Sequence, residues 1–215
     1  IRVNDLVKLS AGLDMPAVAL TDRGNLFGAL EFAVTASKAG LQPVIGAVLG
    51  IVRGKDQHGA ERADPDHLLL LAQDQTGYEN LMSLISEGYL KGDGADPAVP
   101  FEALKGRSDG LIALDGAKGS PLGRHLLDGS SLIETHIQAM KGLFNGRLYL
   151  EIQRHGQSHE RALEARLLPA AQAHNLPLVA TNDWVLEAPD RSIAGSLHPS
   201  IARTLPPPIA PQLDC

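Results

Sequence analysis

The sequence predicts an α/β fold built on a parallel sheet. Two observations carry that expectation. Short runs rich in Val, Ile and Leu alternate with longer segments of helical period, and the runs are apolar throughout instead of alternating apolar with polar. Strands of that second kind are buried on both faces, as in a parallel sheet clothed by helices. Repeated strand–helix alternation then selects the α/β class, as a barrel or as an open sheet, and the rhythm alone leaves those two open.

Residues 3–13 read as a helix, with Leu6, Val7, Leu9, Ala11 and Leu13 among its apolar positions. Strands are expected at 17–20, 43–52, 67–72, 111–114, 148–152 and 178–180, each bounded by turn-forming residues. Helices are expected at 26–39, 78–89, 131–143 and 159–174. Leu81, Leu84 and Ile85 share one face of the second of these, and Leu163, Leu167 and Ala170 one face of the last. Pro169 has no N–H to donate, so it should kink that helix or end its regular hydrogen bonding. The stretches 54–66 and 91–100 read as loops. The chain opens at Ile1 directly on a helix with no strand before it, which marks it as a fragment incomplete at its N-terminus. One domain is expected over 1–189. Residues 190–215, with the run Leu205-Pro-Pro-Pro-Ile209, read as a Pro-rich, disordered or aberrant tail.

Composition narrows the function classes. Of the 215 residues 44% are hydrophobic and 20% charged, which suits a soluble globular domain. No apolar run is long enough to span a membrane, and the basic opening of a signal peptide is missing, so a cytoplasmic setting without membrane partners is expected. Cys215 is the single cysteine, which excludes a disulfide framework and a cysteine-built zinc site. A net charge of -6, with no Lys/Arg cluster interleaved with aromatics, argues against a surface built to coat phosphate backbones.

In parallel α/β folds ligands gather at the carboxyl ends of the strands. The residues expected there are Thr21-Asp22-Arg23-Gly24-Asn25, Leu114-Asp115-Gly116-Ala117, Gln153-Arg154-His155-Gly156 and Thr181-Asn182-Asp183-Trp184. Carboxylates and an imidazole on one rim are the donor types that bind Zn or Mn and activate water. The plainer reading is that Asp22 and Asp183, each following a strand, cap helices or brace turns. His67 falls at the start of a strand, away from that rim, and reads as a turn or edge histidine. Neither a P-loop nor a nucleophile elbow is present.

Several blocks, taken in order, resemble the PHP domain of the bacterial replicative polymerase, DNA polymerase III alpha. They are Met15-Pro-Ala-Val-Ala-Leu-Thr-Asp-Arg-Gly-Asn-Leu-Phe-Gly28, Leu41-Gln-Pro-Val-Ile-Gly46, His67-Leu-Leu-Leu-Leu-Ala-Gln-Asp74, Thr76-Gly-Tyr-Glu-Asn-Leu81, Gly110-Leu-Ile-Ala-Leu114, Leu148-Tyr-Leu-Glu-Ile-Gln153 with His155-Gly156, and Leu178-Val-Ala-Thr-Asn-Asp183. The resemblance covers about residues 1–189 and implies a distorted, TIM-like (β/α) barrel of the PHP type. Active members of the family hold Zn or Mn through His, Asp, Glu and sometimes Cys, and hydrolyse phosphoesters.

Carried over position by position, the resemblance implies a lost metal site. The family's first motif would precede Ile1. Ligand positions correspond to Arg23, Val48, His67, Ala117, Asp183 and Val185, of which only His67 and Asp183 retain donors. Arg23 places a permanent cation where a metal would sit, and a polar network of Asp22, Arg23, His67, His155 and Asp183 is expected in place of the cluster. No metal or other cofactor is therefore expected here, although the parent polymerase would use Mg. The polymerase aspartates lie in a later domain, so this fragment should neither polymerise nor digest DNA. What remains is a scaffold that stabilises the alpha subunit and docks the proofreading exonuclease subunit, meeting DNA only through the parent polymerase. The alternative is a metal-dependent PHP phosphoesterase or 3'-5' exonuclease.

Overall fold

A computed structural model describes residues 2–52, 64–91 and 97–181. Along the chain run α1 (Val3–Gly12), β1 (Ala17–Arg23), α2 (Ala29–Lys38), β2 (Gln42–Ile51), β3 (Asp66–Ala72), α3 (Gln75–Lys91), β4 (Ala98–Val99), a 3-10 turn (Phe101–Leu104), β5 (Leu111–Asp115), α4 (Pro121–Asp128), α5 (Ile133–Phe144), β6 (Leu148–Ile152), α6 (Ser158–His174) and β7 (Leu178–Ala180). The strands form one mixed sheet in the order β1-β2-β3-β5-β6-β7, curled into a half-barrel, with β4 pairing the far end of β2.

The expected all-parallel sheet is corrected at one strand. β1 and β2 are parallel, as are β5, β6 and β7, but β3 runs antiparallel to both β2 and β5. Ile51 pairs with Asp66, so the link from β2 to β3 leaves and re-enters the sheet at neighbouring positions, as antiparallel strands allow. An apolar run buried on both faces reads the same in either direction, which is why the sequence did not reveal the reversal.

Side chains alternate across the sheet. One face carries Ala47, Leu49, Leu68, Leu70, Leu111, Ala113 and Leu148, all buried in the main core beneath α3 and α5. Leu150 joins a second cluster with Leu122, Leu126 and Ile137, closed by Leu163, Leu167 and Ala171 of α6. Those three buried residues at helical spacing run across Pro169, and α6 continues to His174, so the proline does not end the helix. The third cluster seats Val7 of α1 against Phe32 and Ala36 of α2 and Leu41.

Three short elements fall where none was expected. α4 has a clear local cause: Ser120 caps it by accepting from Gly123 N, Pro121 occupies its first turn, and Gly129 ends it in the left-handed region. β4 and the 3-10 turn occupy the end and sequel of the stretch 91–100 read as a loop. β1 also extends to Arg23, so Thr21, Asp22 and Arg23 belong to the strand and not to a following turn.

Candidate functional site

Residue pairing locates the rim positions. Arg23 stands opposite Val48, Val48 opposite Leu69, Leu69 opposite Leu114 and Leu114 opposite Tyr149, which places all five in one row on the face away from the main core. His67, opposite Gly50, lies one step further along the same face. Because β3 is reversed, its start lies at the carboxyl ends of β2 and β5, and His67 therefore reaches the rim from which its place in the strand had seemed to exclude it. Its backbone N–H donates to Gly119 O at 2.8 Å, tying β3 to the loop that carries Ala117.

Arg23, Val48, His67 and Ala117 are thus neighbours at one end of the sheet, and of the other expected residues Asp22 and His155 are not among them. Asp22 points to the opposite face, where its carboxylate lies 3.4 Å from the position a Cβ would take on Gly28. Arg23 is exposed, and among the described residues no ion pair joins it to Asp22. His155 lies in the turn after β6 and belongs to a different group of partners. Asp183 and Val185 lie outside the described residues.

Beneath the Ala117 loop sits a buried Asp–His pair that local sequence gives no hint of. Asp115 Oδ2 lies 2.8 Å from His136 Nε2, with the Asp115 side chain 1% and the His136 side chain 9% exposed. The other carboxylate oxygen accepts from Gly116 N at 2.8 Å and Leu122 N at 3.1 Å. Burial pushes the Asp115 carboxyl up, but His136 beside it, the Ser120 hydroxyl and the Leu122 N–H together outweigh that and hold it below its ordinary value. The rings of Phe101 and His125 pack on His136 at 5.8 and 5.6 Å between centroids. The loop between β5 and α4 is thereby fastened to α5.

A second group organises the end of β6. Glu160 accepts from the backbone of His155 at 2.8 Å and of Gln157 at 2.9 Å, and its Oε1 lies 3.0 Å from His155 Nδ1. Gln157 and Glu160 form a capping box at the start of α6, a pattern legible in Gln157-Ser-His-Glu160. Burial raises the Glu160 carboxyl, and the His155 and Gln157 N–H groups outweigh it to leave a lowered pKa. Glu151, also buried, accepts from Gln153 Nε2 at 2.9 Å and from the Thr181 hydroxyl, linking β6 to the residue after β7. Ala117, Lys118, Glu151, Gln153, His159 and Glu160 are among the residues lining a narrow cleft at this end of the sheet.

Among the described residues, the donor chemistry of the rim does not fit a metal cluster. Val48 and Ala117 carry no donor atom, Arg23 is a permanent cation, and His67 alone offers an imidazole. Among the described residues no three His, Cys, Asp or Glu side chains form a group that could hold an ion. The same elements support hydrogen bonding and charge pairing.

With this geometry in place, comparison with known proteins gives a consistent result. The family model described as PHP domain matches residues 1–155. The DNA polymerase III subunit alpha of Caulobacter vibrioides is 39% identical over 194 residues, covering 88% of this chain and 17% of that protein. Its counterpart in Thermus aquaticus is 38% identical over 177 residues, covering 78% of this chain and 14% of that one. This chain therefore spans about one-sixth of the length of such relatives. A crystal structure from Bifidobacterium adolescentis, assigned as a metal-dependent phosphoesterase, superposes with a TM-score of 0.56 at 15% identity, covering 85% of this chain and 82% of that one, and shows the same fold.

Proposed function

Because this chain belongs to the PHP domain family and is similar over most of its length to DNA polymerase III alpha subunits, we propose that it acts as a metal-free scaffold within a replicative DNA polymerase. In that role it stabilises the alpha subunit and provides a docking surface for the proofreading exonuclease subunit, while nucleotidyl transfer belongs to the rest of the polymerase and DNA is met through it. The observation that carries this reading is the row at the rim in which Arg23 stands opposite Val48, beside His67 and the Ala117 loop. A cation and two donor-free side chains occupy three of the positions where an active relative would need ligands, and a guanidinium repels a divalent ion electrostatically.

Physical support also comes from how the rim is held together. The Asp115–His136 pair and the Glu160 cap brace the β5 and β6 loops by hydrogen bonds within the chain. A domain of that kind offers rigid surfaces for other domains, and contacts between domains of one chain commonly bury 600–1,500 Å².

Elemental analysis and calorimetric titration with Zn and Mn on the 215-residue chain test the proposal. The expected result is no bound metal and no binding heat above background, followed by capture of the exonuclease subunit in a pull-down. Two or three tightly bound ions per chain would instead support phosphoester hydrolysis and call for a direct nuclease assay.

A further inference from the structure

We propose that the groove between the β1–α2 turn and α3 is the seat of an apolar segment from the remainder of the polymerase alpha polypeptide. The inference rests on the reading of the chain as part of that subunit.

One wall of the groove is a stripe along α3, with Tyr78, Met82, Ile85 and Tyr89 at spacings that keep them on one side of the helix. The other wall is Leu26 and Phe27, and the groove between the two walls is open to solvent. Phe27 is 88% exposed and Leu30, one turn further on, is 74% exposed. Large side chains left this open cost free energy in water, and single scattered cases need no explanation, whereas a contiguous aromatic and methionine-lined groove does. The Asn25 side chain accepts from Phe27 N at 3.1 Å and donates to Arg23 O at 3.0 Å, a local turn that braces the backbone at Phe27 beside the groove.

The lining selects an apolar occupant. No charged side chain contributes to it, and its polar groups are those of Asn25 and Ser86 and the hydroxyls of Tyr78 and Tyr89. Tyr and Met give large, adaptable contact area to a packed segment. The source follows from chain length. The Caulobacter relative matches this chain over only 17% of its own length, so most of such a polypeptide lies outside the region described and is tethered to it. A tethered segment meets the groove intramolecularly, so a modest apolar contact is favoured over the same contact between separate molecules.

The test compares the 215-residue chain with a chimera in which it replaces the matching 194 residues of the Caulobacter polymerase subunit. Cys215→Ser removes the native thiol, Ser86→Cys reports on the groove, and Gln138→Cys on the exposed face of α5 serves as the control, with maleimide labelling read peptide by peptide. Labelling at position 86 should be at least about tenfold slower in the chimera than in the chain alone, and equal at position 138. Equal labelling at 86 in both proteins overturns the proposal. So does protection already present in the chain alone, which would mean coverage by its own residues or by a second copy. Protection that appears only when the exonuclease subunit is added assigns the groove to that partner and overturns it as well. As a second readout, Phe27→Asp should leave the melting temperature of the isolated chain unchanged and lower that of the chimera. No shift in the chimera counts against the proposal. Exonuclease capture by the same chimera is scored separately: its loss with position 86 still protected sinks the docking role and leaves the groove assignment standing.

Discussion

Asp115 and His136 come from elements 21 residues apart and meet at 2.8 Å in the interior, where the carboxylate also receives two backbone N–H groups. Removing one partner of a buried hydrogen bond to a carboxylate leaves the other unsatisfied, so His136→Ala and Asp115→Ala should each cost about 1.5–3 kcal/mol in chemical denaturation. The double variant should cost less than the sum of the two, since both remove the same interaction. Additive losses would mean that the two residues act independently.

The same pair sets an acid limit. Asp115 has a folded pKa below its ordinary value of 3.8, so its contribution to stability is fully present above that value. It is lost as pH falls through the depressed folded pKa, because the unfolded chain takes up the proton first. Denaturation midpoints measured from neutral pH down into the carboxylate range should fall less steeply in Asp115→Asn than in the parent chain. Parallel curves would show that other carboxylates govern the acid transition.

Close backbone approach supplies a prediction of opposite signs at two glycines. A Cβ on Gly77 would lie 1.8 Å from Gly110 O, with no flexible side chain able to yield. Gly77→Ala should therefore destabilise by roughly 3 kcal/mol or more through a forced shift of α3 against the turn before β5. Gly142 lies inside α5 and an added methyl meets nothing within 4 Å. Gly142→Ala should stabilise by about 0.5–1 kcal/mol, since alanine has less conformational entropy to lose in a helix. Thermal melts of the two variants read both signs in one experiment.

The difference between what was legible in the sequence and what was not follows the range of the interactions. The apolar runs at 67–72 and 148–152 and the helical stripe of Leu81, Leu84 and Ile85 are local patterns, and the structure has strands and a helix there. α4 was also locally written, in Ser120-Pro121 and Gly129, but eight residues carry too little periodicity to stand out. His67 was misplaced because strand direction is a property of pairing, and an apolar run has no direction of its own. His136 was missed because its partner is distant in the chain. Placing Arg23 and Asp22 in one network overlooked that adjacent residues of a strand face opposite sides, a consequence of β1 extending to Arg23.

The rim also makes a prediction about restoring what its side chains lack. Arg23 and Val48 are directly paired, and His67 lies one step along the same face on the neighbouring strand. Directly paired side chains begin about 5 Å apart and diagonal ones about 7–8 Å, within the span that imidazole and carboxylate donors can close on one ion. Arg23→His with Val48→Asp would remove the repelling cation and set two new donors beside His67. Calorimetry on this double variant should show zinc binding at micromolar affinity or better where the parent chain shows none, since three protein ligands on a preformed surface meet the minimum for a zinc site. His67→Ala added to the pair should abolish the heat. If the double variant stays silent while its melting curve remains cooperative, the three side chains do not converge on a common point, and the loss of ligands is not what separates this rim from a metal centre.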